Sequence, residues 1–167
     1  MNTKTKKIAF VGIMASLAMI LSYVELLIPP IFTSLPGIKM GLPNIVIIFT
    51  LYKFGVKEAA AVSAIRLLCV SLLFGNAMIF AYSLAGAFLS LTLMSILKCL
   101  DVFSAVGVSI VGGISHNAGQ IIVAILMLQR IEIGYYMMAL SISGTIAGIL
   151  VGLAGSYLLK LLKKITF

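Results

Sequence analysis

The sequence predicts an all-α integral membrane protein, a bundle of six transmembrane helices, on three observations. Hydrophobic residues make up 62% of the chain and charged ones only 10%, and the mean hydropathy is +1.25. A water-soluble globule of 167 residues needs more polar surface than that. The apolar residues also fall into long runs separated by short polar gaps, and at roughly 20 residues per span the chain can cross a bilayer about six times. No length remains for a second domain. The formal net charge of +8 is a matter of topology rather than nucleic-acid binding, because the basic residues sit in the gaps between runs and not along one exposed face.

The first run, residues 8–28, follows Lys4, Lys6 and Lys7. It lacks a small-residue cleavage site and further spans follow it, so it is helix 1 and not a signal peptide. Residues 29–42, PPIFTSLPGIKMGL, carry three prolines and two glycines and read as a structured loop. A short helix 2 follows over about 43–52. Lys53 and Lys57 flank the turn at Gly55 into helix 3, residues 57–74. Helix 4 covers about 77–97 and stops at KCLD, helix 5 covers 104–128 and stops at QRIEIG, and helix 6 fills 135–159.

With the N-terminus inside, nine of the twelve Lys and Arg fall on the cytoplasmic side (4, 6, 7, 53, 57, 98, 160, 163 and 164). Lys39 and Arg130 fall outside. The positive-inside rule therefore places both termini in the cytoplasm and turns the 29–42 loop outward.

Arg66 stands alone in AAAVSAIRLLCVSLLFGN, about nine residues from either end of helix 3, which puts it near the bilayer midplane. An arginine there costs roughly 2.5 to 3.5 kcal/mol even on the cheaper insertion scales, so it faces the bundle interior or a wet cavity and needs a partner. His116, Asn117 and Gln120 line one face of helix 5 at the same depth. Any one of them alone reads as an interhelical hydrogen-bonding group. Together with Arg66, beneath an irregular outer loop that supplies Lys39 and leads into Asn44, they read as a pocket open to the outside. The expected ligand is small and anionic or carbonyl-bearing. Glu25, near the outer end of helix 1, is expected to neutralise Lys39 or Arg66, with direct ligand contact as the alternative.

Small residues recur at helical spacing. Gly144, Gly148, Gly152 and Ser156 form a ladder suited to packing within the bundle, and Gly12 and Ser16, with Ala15 beside them, form a second one suited equally to such packing or to a partner protein. Cys69 and Cys99 have no CxxC or His-rich company and read as small hydrophobes. No metal site or cofactor is suggested. With no Walker motif and no intramembrane carboxylate pair, a binding subunit is favoured over a complete transporter.

The run PGIKMGLPNIVIIFTLYKFGVKEAAAVSAIRLLCVSLLFG, followed by SLAGAFLS, SHNAGQ and SGTIAGILVG, resembles the bacterial membrane family called Gx transporter, also labelled heptaprenyl diphosphate synthase component I. The resemblance covers nearly the whole chain. That family is similar in turn to the substrate-binding S components of energy-coupling factor (ECF) vitamin transporters. The resemblance implies an S-component-like bundle in the bacterial cell membrane, a pocket on the outer side, and a helix 1 face that docks a coupling transmembrane protein and its ATPases. Gly12-x-x-x-Ser16 stands where S components carry Ala-x-x-x-Ala. The synthase label implies, as an alternative, a non-catalytic membrane subunit in prenyl diphosphate or quinone metabolism. The family's association with membrane redox proteins implies another, in flavin- or quinone-linked chemistry. Catalysis itself is not expected, because prenyl diphosphate synthases hold Mg2+ with aspartate-rich motifs and this chain has one aspartate, Asp101, among four acids.

Overall fold

The computed structural model describes residues 3–28 and 41–162, and the chain between the two stretches, with Lys39, lies outside the described residues. Six helices follow in order: α1 (Thr3–Leu27), α2 (Asn44–Lys53), α3 (Val56–Phe74), α4 (Ala77–Leu100), α5 (Ala105–Leu128) and α6 (Tyr136–Leu161), with a 3-10 turn (Ile131–Tyr135) before the last. Compared with the sequence reading, α1 begins five residues earlier and takes in the lysines, while α4 runs through Lys98 to Leu100. Lysine is a good helix former, so a polar residue ends the apolar run without ending the helix.

The helix ends follow local chemistry. Asn76 caps α4, its Oδ1 accepting from Ile79 N at 2.9 Å, and Ser104 caps α5, its Oγ accepting from Gly107 N at 3.3 Å. Asp101 and Gln129 close α4 and α5 in the left-handed region, with φ of 52° and 51°. Gly55, at φ 116°, makes the sharp link from α2 to α3 that a side chain would strain.

The helices alternate in direction, and contacts sort their ends into two sets. At one end Lys7 pairs with Glu58 at 3.3 Å. Lys98 Nζ donates to the Leu51 carbonyl at 2.6 Å, and Lys53 Nζ to that of Leu162 at 3.1 Å. Both lysines thus answer carbonyls left open at helix C-termini. The opposite end holds the close of α1, Gly41, the α3–α4 turn and the 3-10 turn.

Four described helices or helical segments are long and apolar enough to cross a membrane: Thr5–Leu27, Ala77–Leu100, Ala105–Leu128 and Ile131–Leu161. At most 28% of the most apolar window in any of them is buried inside the protein, so most of that apolar surface must face lipid. The remaining two helices differ for clear reasons. α2 has 10 residues, and α3 carries Lys57, Glu58 and Arg66 among its 19.

α2 is the hub of the core. Val46 to Leu51 are buried without interruption, and four of them, Val46, Ile47, Ile48 and Leu51, share one apolar cluster with Ala15 and Ala18 of α1, Ala59 and Val62 of α3, Met94 of α4, Val108 of α5 and Val151 of α6. The α5–α6 contact depends on missing side chains. A Cβ on Gly148 would stand 2.5 Å from the Ile110 Cα, and one on Gly152 would stand 2.7 Å from the Val106 Cα. The helix 6 ladder is therefore spent inside the bundle. Its fourth member, Ser156, is only half-buried, and Gly155 makes the close approach at that level, to Ile48 of α2.

Candidate functional site

Arg66 lies mid-way along α3, ten residues from Val56 and eight from Phe74, so about 15 Å of helix separates it from the lysine-rich end. Its Nη1 donates to Ser22 Oγ of α1 at 3.3 Å, and the Ser22 hydroxyl in turn donates to the Ala18 carbonyl at 2.8 Å. Among the described residues Arg66 Nε is buried without a hydrogen-bond partner. A buried guanidinium donor left open in this way costs free energy unless something else meets it.

The guanidinium lines a cavity of about 140 Å³ in the half of the bundle away from the lysines. α1 supplies Ser22 and Glu25, α2 its first residue Asn44, α3 Arg66 and Ser71, and α5 the trio His116, Asn117 and Gln120. The structure thus brings together, around one space, every expected pocket residue that lies among the described residues. Ser71 and Ser22 were missed. Ser22 was legible, since it stands three residues before Glu25 and hence on the same face of α1.

Each member of the trio is placed by a packing detail. His116 lies where α4 comes close, and a Cβ on Gly86 would stand 2.8 Å from the His116 carbonyl oxygen and 3.0 Å from its ring. Only glycine lets the helices meet at that level. Asn117 Nδ2 donates to the Leu140 carbonyl of α6 at 2.7 Å, so this side chain fastens α5 to α6 while lining the cavity. Gln120 lies one turn further from the lysines on the same face.

Glu25 is held by a backbone group, and Lys39, one of its two expected partners, lies outside the described residues. The Glu25 Oε1 accepts from the Gly41 backbone N–H, which ties the end of α1 to the approach to α2. Among the described residues no ion pair joins it to Arg66, although both side chains line the same cavity. Asn44 also lines a second space of about 20 Å³, bounded by Ser90 and Ser109 and large enough for a water molecule. Among the described residues no group of three or more His, Cys, Asp and Glu is placed to hold a metal ion.

The proposed docking face on α1 divides. Gly12 and Ser16 are exposed, and a Cβ on Gly12 would meet nothing within 4 Å. Ser16 turns its hydroxyl back to the Gly12 carbonyl at 3.0 Å. Ala15 is a correction to the sequence reading: at 3% exposure it belongs to the core, because adjacent helical residues point about 100° apart and α3 and α2 cover its side.

No curated protein and no solved structure matches the chain. A family model does, over residues 14–158, a stretch that takes in α2 to α5, all but the first turns of α1 and nearly all of α6, and by that match the chain belongs to the heptaprenyl diphosphate synthase component I family.

Proposed function

We propose that this chain is the substrate-binding subunit of a small-molecule uptake system in the bacterial cell membrane. In this reading it spans the bilayer six times with both termini in the cytoplasm, resembles ECF S components in architecture, and is energised by separate coupling and ATPase subunits. The chain itself is not an enzyme. The observation that carries the reading is the cavity around Arg66: a charged side chain, incompletely satisfied among the described residues, at mid-helix depth and sharing its space with polar groups from four other helices. An intramembrane ionisable group of this kind is by default a functional-site candidate. The lysine-rich end would face the cytoplasm, so the cavity would lie in the outer half, where an uptake system takes its cargo. Arg66, Asn44, His116, Asn117 and Gln120 are the ligand-binding candidates, with Lys39 from the loop, and Gly12 and Ser16 are the docking candidates.

The family description supports a second reading, a non-catalytic membrane partner of a prenyl diphosphate synthase. Native mass spectrometry of the purified protein, alone and after co-expression with a coupling subunit and its ATPases or with a synthase catalytic subunit, separates the two. The uptake reading expects a bound small molecule and an assembly with the ATPase module, and Arg66→Met should lose the small molecule. A stable assembly with the synthase subunit alone, and no bound small molecule, would establish the second reading instead.

A further inference from the structure

Among the described residues the cavity carries one full charge of each sign, and this bears on what fills it. Arg66 and Glu25 both line it, yet they do not close on each other among the described residues. Each is steadied separately, Arg66 by the Ser22 hydroxyl and Glu25 by the Gly41 N–H. In a medium of low dielectric constant two opposite charges attract strongly. A purely structural pair gains most by direct contact, which satisfies both groups without an intervening space. Here the space is kept between two charged residues that line it, and among the described residues the buried Arg66 Nε has no acceptor.

Resting on the binding-subunit reading above, we infer that the ligand is a small zwitterion, its carboxylate directed to Arg66 and its ammonium group to Glu25. A pure anion would meet the arginine but also the glutamate, and a pure cation the reverse. A molecule with both charges complements both walls and adds no net charge to the membrane interior. Size agrees with this. A cavity of about 140 Å³ compares with engineered cavities that hold a benzene-sized molecule, so it suits about six to ten non-hydrogen atoms. The amide of Gln120 and the hydroxyl of Ser71 are neutral groups on the same walls, able to hydrogen-bond either end of such a molecule.

Equilibrium dialysis and thermal shift on the full-length protein in nanodiscs test this with three matched sets of probes. The first holds free amino acids, the common α forms and the ω series from glycine to ε-aminohexanoate. The second holds their N-acetyl derivatives, which keep only the carboxylate, and the third their amides, which keep only the ammonium. The expected result is binding of at least one free amino acid, with its N-acetyl and amide forms each weaker by about tenfold or more. Glu25→Gln should bring free and N-acetyl forms to parity, and Arg66→Met should do so for free and amide forms. N-acetyl derivatives binding as well as the free amino acids would overturn the zwitterion while leaving the binding-subunit reading intact. Failure of every probe would also overturn it, and the co-purifying small molecule would then judge the broader reading separately. The wild-type panel decides even if the variants do not fold.

Discussion

Asn117 shows why a polar residue in a membrane helix cannot be assigned a role from its type alone. Its spacing from His116 and Gln120 pointed to a pocket wall, and it is on that wall, yet its amide nitrogen is committed to the Leu140 carbonyl across the α5–α6 contact. The side chain therefore does two things, and the sequence could show only the face it lies on. Asn117→Leu should lower the melting temperature in detergent as well as any ligand response, because it removes an interhelical bond worth about 0.6 to 2 kcal/mol and forces a branched side chain toward Gly144, whose position for a Cβ is already 2.9 Å from Asn117 Nδ2. Arg66→Met should behave in the opposite way. It removes a charge whose placement at mid-helix costs several kcal/mol, while Ser22 keeps its bond to Ala18 and Glu25 its bond from the Gly41 N–H, so ligand-free stability should hold or rise. Differential scanning calorimetry of the two variants checks the contrast, and a large loss of stability in Arg66→Met would show that the arginine is structural.

At the level of elements, the two glycine-bearing ladders look alike in sequence and differ entirely in use. A methyl group at Gly148 would stand 2.5 Å from a backbone Cα of α5 and 2.9 Å from the Ser109 carbonyl oxygen, so neither neighbour can swing aside as a side chain does. Gly148→Ala should force the helices apart and destabilise the bundle by about 1 to 3 kcal/mol. Gly12 faces open space, and Gly12→Leu should leave the isolated protein as stable as before or slightly more so, since leucine is the better helix former by nearly 1 kcal/mol. If that face docks a coupling subunit, the same variant loses co-purification with it, and retained co-purification would move the interface elsewhere. The helix boundaries were legible because their signals are local: Asn76 and Ser104 as caps, Gly55 as a turn, the lysines between runs. The partner of each ladder was not. Spacing fixes which residues share a face, whereas the neighbour that covers the face depends on how all the helices pack, and that is why Ala15 belongs to the core while Gly12, three residues before it, does not.

For the whole molecule, the central question is which way it sits in the membrane, and the structure sharpens the sequence argument. Lys7, Lys53 and Lys98 gather at one end of the bundle, each bonded to a carboxylate or a helix carbonyl there, so the basic residues mark a common level rather than scattered gaps. α2 is the element that makes this arrangement hard to read from sequence. With 10 residues it is about 15 Å long and covers only half of a hydrocarbon core of about 30 Å, leaving its first residue, Asn44, at the cavity and its last, Lys53, at the lysine-rich end. The same shortness leaves the half of the bundle beyond Asn44 open for a site, whose walls come mainly from the longer helices. Impermeant thiol labelling checks the orientation. With Cys69 and Cys99 replaced, Ile131→Cys and Val102→Cys place exposed cysteines at opposite ends, the first after α5 and the second before it. Intact cells should label Ile131→Cys, and only permeabilised cells should label Val102→Cys. The reverse pattern would place the cavity on the cytoplasmic side, where an uptake system releases its cargo instead of capturing it, and the Arg66 site would then have to be understood as serving a ligand drawn from inside the cell.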